Sequence, residues 1–483
     1  MKQPPTTSVA TQALRAALWS VLGRYGHMIV SLVVMAVLTR ILHPRDFGVV
    51  AMTAVLTQFV HILSDGGVSR AVVQFPEWGI REHSTMFWQS LLIGFLLYGA
   101  TWVGAPWVAE YFREPALVPI LRVAGFTFVL NAAARVPTGL LSRELRFREI
   151  TQSELVASVL SGIVGVLMAV AGWGYWALVF REVAIFLVRL VTAWRYAGFW
   201  PQRVLDLASV REGSRFGRDA SGFLAINYWA RTADNLFIGR FLGAEPLAYY
   251  SRAYALMAYP MELLTGAVAP VLHPALARAR EDVGQMRGAW LQVVHVIALV
   301  SMPLMFSLVH VAESAVLVMW GPSWGPSVPA FRWLCVLGGI QPWIATVGSV
   351  FLARGRARAQ LGFGIVTSAI LVATFWVTAP LGIEVLAQAY VVAWLAPMPV
   401  LVGYVLTNVM EGRPRELGAA LAFPVLVTAV CSGAAWSVAT LLPPMSSLAE
   451  LLLVGAPAAG TWIAMNAVFH RTWWRTQWRT LRS

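Results

Sequence analysis

The chain has 483 residues, of which 58% are hydrophobic and only 12% charged. Water-soluble domains carry about 25% charged residues; this chain has too few to cover a water-facing surface, so lipid is its expected solvent. Its formal net charge is +13, and Lys2 is the only lysine among 36 basic residues.

A basic balance suits nucleic acid or anionic lipid equally well. The arginines lie between long apolar runs, which decides for the membrane and against nucleic acid. Residues 1–11 show no basic region, apolar core and cleavage site of a signal peptide, so the first apolar span is expected to stay in the protein. Crossing the hydrocarbon takes about 20 apolar residues. By that measure we read about fourteen spans, at 17–38, 47–66, 84–109, 117–140, 151–171, 174–195, 219–241, 247–271, 289–311, 326–351, 359–379, 383–406, 417–441 and 447–469. With the N-terminus inside, alternate connections are rich in arginine: Arg143, Arg146 and Arg148; Arg203, Arg211, Arg215 and Arg218; Arg354, Arg356 and Arg358. The outside connections hold Arg40, Arg45, Arg113 and Arg240. That asymmetry predicts both termini in the cytoplasm.

The chain echoes itself at an offset of 200. Thr39-Arg40-Ile41-Leu42 lies over Gly239-Arg240-Phe241-Leu242, and Leu56 and Leu63 lie over Leu256 and Leu263. Spans one and two thereby map onto seven and eight. Six helices per lobe leave the two lobes in the same orientation, a parallel repeat. The expected fold is an all-α polytopic membrane protein with an N-terminal six-helix lobe (1–197) and a cytoplasmic amphipathic connector (198–218). A second six-helix lobe (219–410), two further helices (411–470) and a basic tail (471–483) follow. In the tail, Arg471, Arg475, Arg479 and Arg482 recur beside Trp474, Trp478 and Leu481, a pattern suited to an anionic inner leaflet.

Ionisable residues at membrane depth are costly and tend to face a bundle interior or a wet cavity. Span one carries Arg24, His27 and Ser31; span two Gln58, His61 and Asp65; span four Thr127, Asn131 and Arg135. Span seven is densest, with Asn227, Arg231, Asp234 and Asn235, and span eight adds Arg252 and Glu262. Guanidinium groups match phosphate oxygens with paired hydrogen bonds. Arg24, Arg231, Arg252 and Arg135, with Asp234, Asn227 and Asn235, are therefore candidates for binding an anionic substrate, and Asp65 and Glu262 for ion coupling. Arg231 paired with Asp234, and Arg135 or Arg252 reaching to a membrane boundary, are the structural alternatives. Pro260, Pro270 and Pro274 punctuate span eight as a hinge or a kink. No Walker A motif is present, the eight histidines and the two cysteines (Cys335, Cys431) show no metal spacing, and no cofactor is expected.

Several stretches together resemble polysaccharide-export flippases of the multidrug/oligosaccharidyl-lipid/polysaccharide superfamily, of the O-antigen and colanic-acid type. They are Leu38-Thr39-Arg40-Ile41-Leu42 followed by Asp46-Phe47-Gly48-Val49-Val50-Ala51-Met52, Asp65-Gly66-Gly67-Val68-Ser69, Gly139-Leu140-Leu141-Ser142-Arg143, and Arg231-Thr232-Ala233-Asp234-Asn235 leading to Tyr250-Ser251-Arg252-Ala253-Tyr254. The resemblance runs over roughly residues 12–410. It implies two lobes around a substrate cavity in the inner membrane and export of an undecaprenyl-pyrophosphate-linked oligosaccharide, with a polymerase and chain-length proteins as partners. It also implies that Arg24 and Arg231 meet the pyrophosphate. Two other readings remain at this stage. A cation-coupled drug antiporter of the same fold would depend on membrane carboxylates. A membrane-embedded polymerase or glycosyltransferase would need a larger outside loop than 312–325.

Overall fold

In the computed structural model the described residues are 9–65, 68–75, 77–206, 210, 228–229, 231–278, 282–441 and 446–467. All regular structure among them is helical. The first helices are α1 (Val9–Ile41), α2 (Pro44–Asp65), α3 (Val68–Gln74), α4 (Ile80–Phe112), α5 (Leu117–Ala124), α6 (Phe126–Arg143), α7 (Phe147–Val170) and α8 (Tyr175–Ala197). Helix α9 (231–241) and α10 (Ala244–Arg278) follow. The remainder is α11 (Val283–Leu308), α12 (Ala312–Trp320), α13 (Val328–Ile344), α14 (Val347–Ala353), α15 (Ala357–Thr378), α16 (Ile383–Leu395), α17 (Met398–Tyr404), α18 (Pro414–Leu441) and α19 (Ser447–Met465). The offset of 200 is visible in the helix ends: α1 stops at residue 41 and α9 at 241, while α2 starts at 44 and α10 at 244. Helix α10 runs unbroken through Pro260, Pro270 and Pro274, so these prolines make no hinge by interrupting it.

Among the described residues, ten helical segments are long and apolar enough to cross a bilayer. Helix α8 has the length to do so, but Arg181, Glu182 and Arg189 interrupt it, and α10 carries Arg252 and Glu262. Polar side chains of this kind are tolerated where a helix turns them away from lipid.

The chain divides into two compact units, Met1–Ala248 and Tyr249–Ser483. The division falls inside α10 rather than at the connector 198–218, because residues 228–248 pack within the first unit. The Tyr228 hydroxyl donates to the carbonyl of Val55 at 2.7 Å. Trp229 packs on Phe59, with ring centroids 4.9 Å apart. Gly239 lies against Phe112, and Gly48 against the Ala244 carbonyl.

Close helix approach elsewhere in this unit also depends on small residues, as expected where lipid gives helices no solvent reason to associate. Gly162 on α7 accepts the Val34 side chain of α1, and Gly94 on α4 sits over Ala132 of α6. Ser90 then donates to the Ala132 carbonyl at 3.1 Å. After α8, residues 199–206 cross the start of α4. The Gln202 amide donates to Ser84 at 2.9 Å, the Asp206 amide to Thr85 at 3.0 Å, and the Trp88 indole to the Gln202 carbonyl at 2.8 Å. Trp200 and Leu205 of this strap are left 75% and 69% exposed. Of the rest of the expected connector, only residue 210 is described; the expected basic tail lies outside the described residues.

In the second unit, Trp290, Trp343, Phe351, Val405 and Met410 form one buried cluster. The Trp290 indole donates to Thr346 at 2.9 Å. Helices α18 and α19 pack within this unit: His295 on α11 bonds the Ala420 carbonyl at 2.7 Å, and the Trp462 indole donates to the Leu299 carbonyl at 2.7 Å.

Candidate functional site

Four residues on α6 prepare a polar site inside the first unit. Thr127, Asn131, Arg135 and Thr138 follow one another at three- and four-residue steps, so they line one helix face. That face meets His61 and Ser64 of α2, Ser69 of α3, Ser153 and Glu154 of α7, and Phe186 and Arg189 of α8. A cavity of about 400 Å³ opens among these residues, with Thr127 and Ser64 just behind its lining. Most of its lining lies within a few turns of the connections at 66–67, 144–146 and 198, so it sits toward that end of the bundle.

His61 is held on three sides. Its ring stacks on Phe186 with centroids 4.7 Å apart and planes 12° from parallel. Asn131 Nδ2 stands 3.2 Å from its Nδ1, and Thr127 Oγ1 stands 3.2 Å from its Nε2. The Thr127 hydroxyl already donates to the Ala124 carbonyl at 2.6 Å, so it accepts from the ring. Nε2 is then the protonated nitrogen, and Nδ1 accepts from Asn131.

Arg135 is 5% exposed. Its guanidinium donates to Ser64 Oγ at 2.9 Å and to the His61 carbonyl at 3.4 Å, tying α6 to α2. Glu154 and Arg189 line the same space, yet among the described residues neither side chain makes a hydrogen bond or ion pair, and Arg189 Nε is buried without a partner. The α7–α8 contact beside them is made instead by Ser153 and Thr192, and one turn further along α7 Ser158 bonds His27 of α1.

Of the expected binding residues whose side chains are described, Arg135 alone lines this cavity. The backbones of Arg24 and Asp65 are helical, but their side chains lie outside the described residues, as does Asn227 entirely. On α9, Arg231 is exposed, Asp234 is 3% exposed with its carboxylate accepting the Asn235 amide at 2.7 Å, and Asn235 is half-buried. Arg252 is half-buried on α10 and Glu262 is exposed. Glu154 and Arg189 were not expected from the sequence. The available signal was a carboxylate inside the apolar run 151–171 and an arginine two turns beyond Arg181 in 174–195.

A second hollow, of about 260 Å³, lies in the second unit. Val300 and Leu304 of α11, Ala435 of α18, and Val454, Ala458 and Trp462 of α19 line it, and its wall is almost wholly apolar.

Residues 37–329 match the family model described as "Polysaccharide biosynthesis protein". The chain belongs to this family. Its sequence is 26% identical to the teichuronic acid biosynthesis protein TuaB of Bacillus subtilis (strain 168) over 461 residues, covering 94% of each chain. It is 26% identical to the succinoglycan biosynthesis transport protein ExoT of Rhizobium meliloti (strain 1021) over 418 residues, 84% of each. Among solved structures, this family member shares its fold with the lipid II flippase MurJ in an inward closed conformation (TM-score 0.74, 10% identity, 94% of this chain and 99% of that one). It also resembles an inward-facing multidrug resistance MATE family transporter (TM-score 0.62, 15% identity, 80% and 95%). The multidrug/oligosaccharidyl-lipid/polysaccharide fold expected from the motifs is therefore the fold found.

Proposed function

We propose that the chain is a flippase of the bacterial inner membrane that carries a lipid-linked oligosaccharide, an undecaprenyl-pyrophosphate-linked repeat unit, from the cytoplasmic to the periplasmic leaflet for surface polysaccharide assembly. The observation that carries this reading is membership of the polysaccharide biosynthesis family on a fold shared, nearly end to end, with a lipid II flippase. A drug transporter has the same fold, so the fold alone does not choose a substrate; the relatives TuaB and ExoT are both named for polysaccharides, and ExoT for transport. The name of ExoT supports transport rather than bond-making chemistry. A polymerase and chain-length proteins would receive the product.

In this reading, Arg24 and Arg231 meet the pyrophosphate, with Arg252, Asp234, Asn227 and Asn235 close by on the chain. Asp65 and Glu262 serve ion coupling. The apolar hollow of α11, α18 and α19 suits part of a polyprenyl chain, because burying apolar surface there costs no polar partner. The Arg24→Ala, Arg231→Ala double variant is expected to reach the membrane at the normal level and to lose at least about ten-fold in surface polysaccharide, the effect of removing charge-assisted hydrogen bonds to phosphate. Normal polysaccharide from that variant removes both arginines from the mechanism.

Fourteen spans in two parallel six-helix lobes, plus α18 and α19, with both termini inside, complete the proposal. Single cysteines test the topology against the buried native pair Cys335 and Cys431. In intact spheroplasts an impermeant maleimide should label Leu381→Cys, while Glu144→Cys should react only after lysis. The opposite pattern overturns the orientation.

A further inference from the structure

Three charged side chains line the cavity of the first unit, and two of them, Glu154 and Arg189, make no hydrogen bond or ion pair among the described residues. Glu154 projects from α7 and Arg189 from α8 into one space of about 400 Å³, and they do not pair across it. A cavity of that size, at the small end of the range for small-molecule sites, has no room for a lipid-linked oligosaccharide; it accepts a small group. Its charge selects which. Two guanidiniums, Arg135 and Arg189, stand against the single carboxylate of Glu154, and Asn131, Ser69, Thr138 and Ser153 add neutral hydrogen-bonding groups. A metal cation would meet a positive wall and one carboxylate, and no cluster of three acidic, histidine or cysteine side chains exists among the described residues. An oxyanion finds the Arg189 guanidinium without a hydrogen-bond partner among the described residues, and hydroxyl and amide groups around it.

We propose that this cavity is an anion site for a phosphate or diphosphate group, with Arg189 as its primary ligand and the Glu154 carboxylate as the opposing charge that limits its affinity. The inference rests on the transport reading only for its biological use; the binding chemistry stands without it. Glu154 is the internal competitor: as the carboxylate in this wall it offsets the arginines and opposes an incoming anion. Removing its charge by substitution should therefore tighten anion binding.

The test uses the full chain in detergent and in nanodiscs of neutral lipid. Titration with pyrophosphate, followed by tryptophan fluorescence and by thermal stabilisation, should saturate for the wild type. Arg189→Gln should weaken binding by about ten-fold or more, the size of one lost charge-assisted hydrogen bond, and Arg189→Lys should restore part of it. A charge arm uses Glu154→Gln, which should bind pyrophosphate about ten-fold tighter than the wild type at the same pH. A third arm separates the two sources of phosphate. If short-chain phosphatidic acid displaces pyrophosphate, a lipid headgroup enters the cavity; if it does not, the ligand is the free anion.

No saturable anion effect on the wild type overturns the proposal. So does Arg189→Gln binding as tightly as the wild type while remaining monodisperse, or Glu154→Gln binding no tighter than the wild type. Wild-type polysaccharide export without anion binding removes this site and leaves the transport reading standing; anion binding in a protein that exports nothing does the reverse.

Discussion

Replacing Gly48 with alanine is expected to remove most of the folded protein. A Cβ at position 48 would stand 1.7 Å from the carbonyl oxygen of Ala244 and 2.3 Å from its carbon. Carbon contacts are comfortable at about 3.5–4.0 Å, so the start of α2 and the start of α10 would have to separate by roughly 2 Å. Both obstructing atoms are backbone, and no rotamer change relieves the clash. Overpacking costs about 1–3 kcal/mol where side chains can yield; here the expected loss lies at or above the top of that range. Size-exclusion recovery and the thermal midpoint of the detergent-solubilised protein read it. Gly104→Ala is the matched control, because an added Cβ there meets nothing within 4 Å, and it should behave as the wild type. Equal recovery of both variants would mean that α2 and α10 do not approach this closely.

Removing Arg135 should have the second largest effect on stability. The side chain is buried, and one guanidinium nitrogen holds both Ser64 and the His61 carbonyl, joining α6 to α2 at the wall of the cavity. Hydrogen bonds to charged groups contribute about 1.5–3 kcal/mol in water-soluble proteins, whereas those within membrane bundles average about 0.6 kcal/mol. The membrane figure is the relevant one, so the two bonds together are expected to contribute roughly 1–2 kcal/mol. Arg135→Met keeps the length of the stem and should lose about that much. Arg135→Ala also empties the volume of the stem and should lose about 3 kcal/mol or more. A Met variant as stable as the wild type shows that packing alone holds this wall, and an Ala variant no worse than Met shows that the stem adds nothing.

How much of this was legible before the fold is clear from particular residues. Runs of apolar residues placed the helices well: the expected span 84–109 lies within α4, 151–171 nearly coincides with α7, and 417–441 lies within α18. The offset of 200 was readable because it is a relation along the chain, and it recurs in the helix ends at 41 and 241. The four-residue ladder Thr127, Asn131, Arg135 was readable for the same reason, since helical periodicity places those residues on one face. Glu154 and Arg189 were not readable. Each is a single charge on its own helix, and nothing in the spacing of one helix tells which neighbour it will face.

The boundary between the compact units shows the same limit. Composition changes at 198–218, yet the division falls at Ala248, because packing assigns residues 228–248 to the first unit through Tyr228, Gly239 and the Gly48–Ala244 approach. What the sequence alone determined was the solvent and the secondary structure. A chain that is 58% hydrophobic and 12% charged must live in lipid, and in lipid the backbone must satisfy its own hydrogen bonds by coiling. What only the tertiary structure decided was which polar residues meet. Helices in a bilayer gain nothing from water by choosing one partner over another, so their choice is made by shape, and shape at Gly48, Gly94 and Gly162 is a property of two surfaces and not of one chain segment.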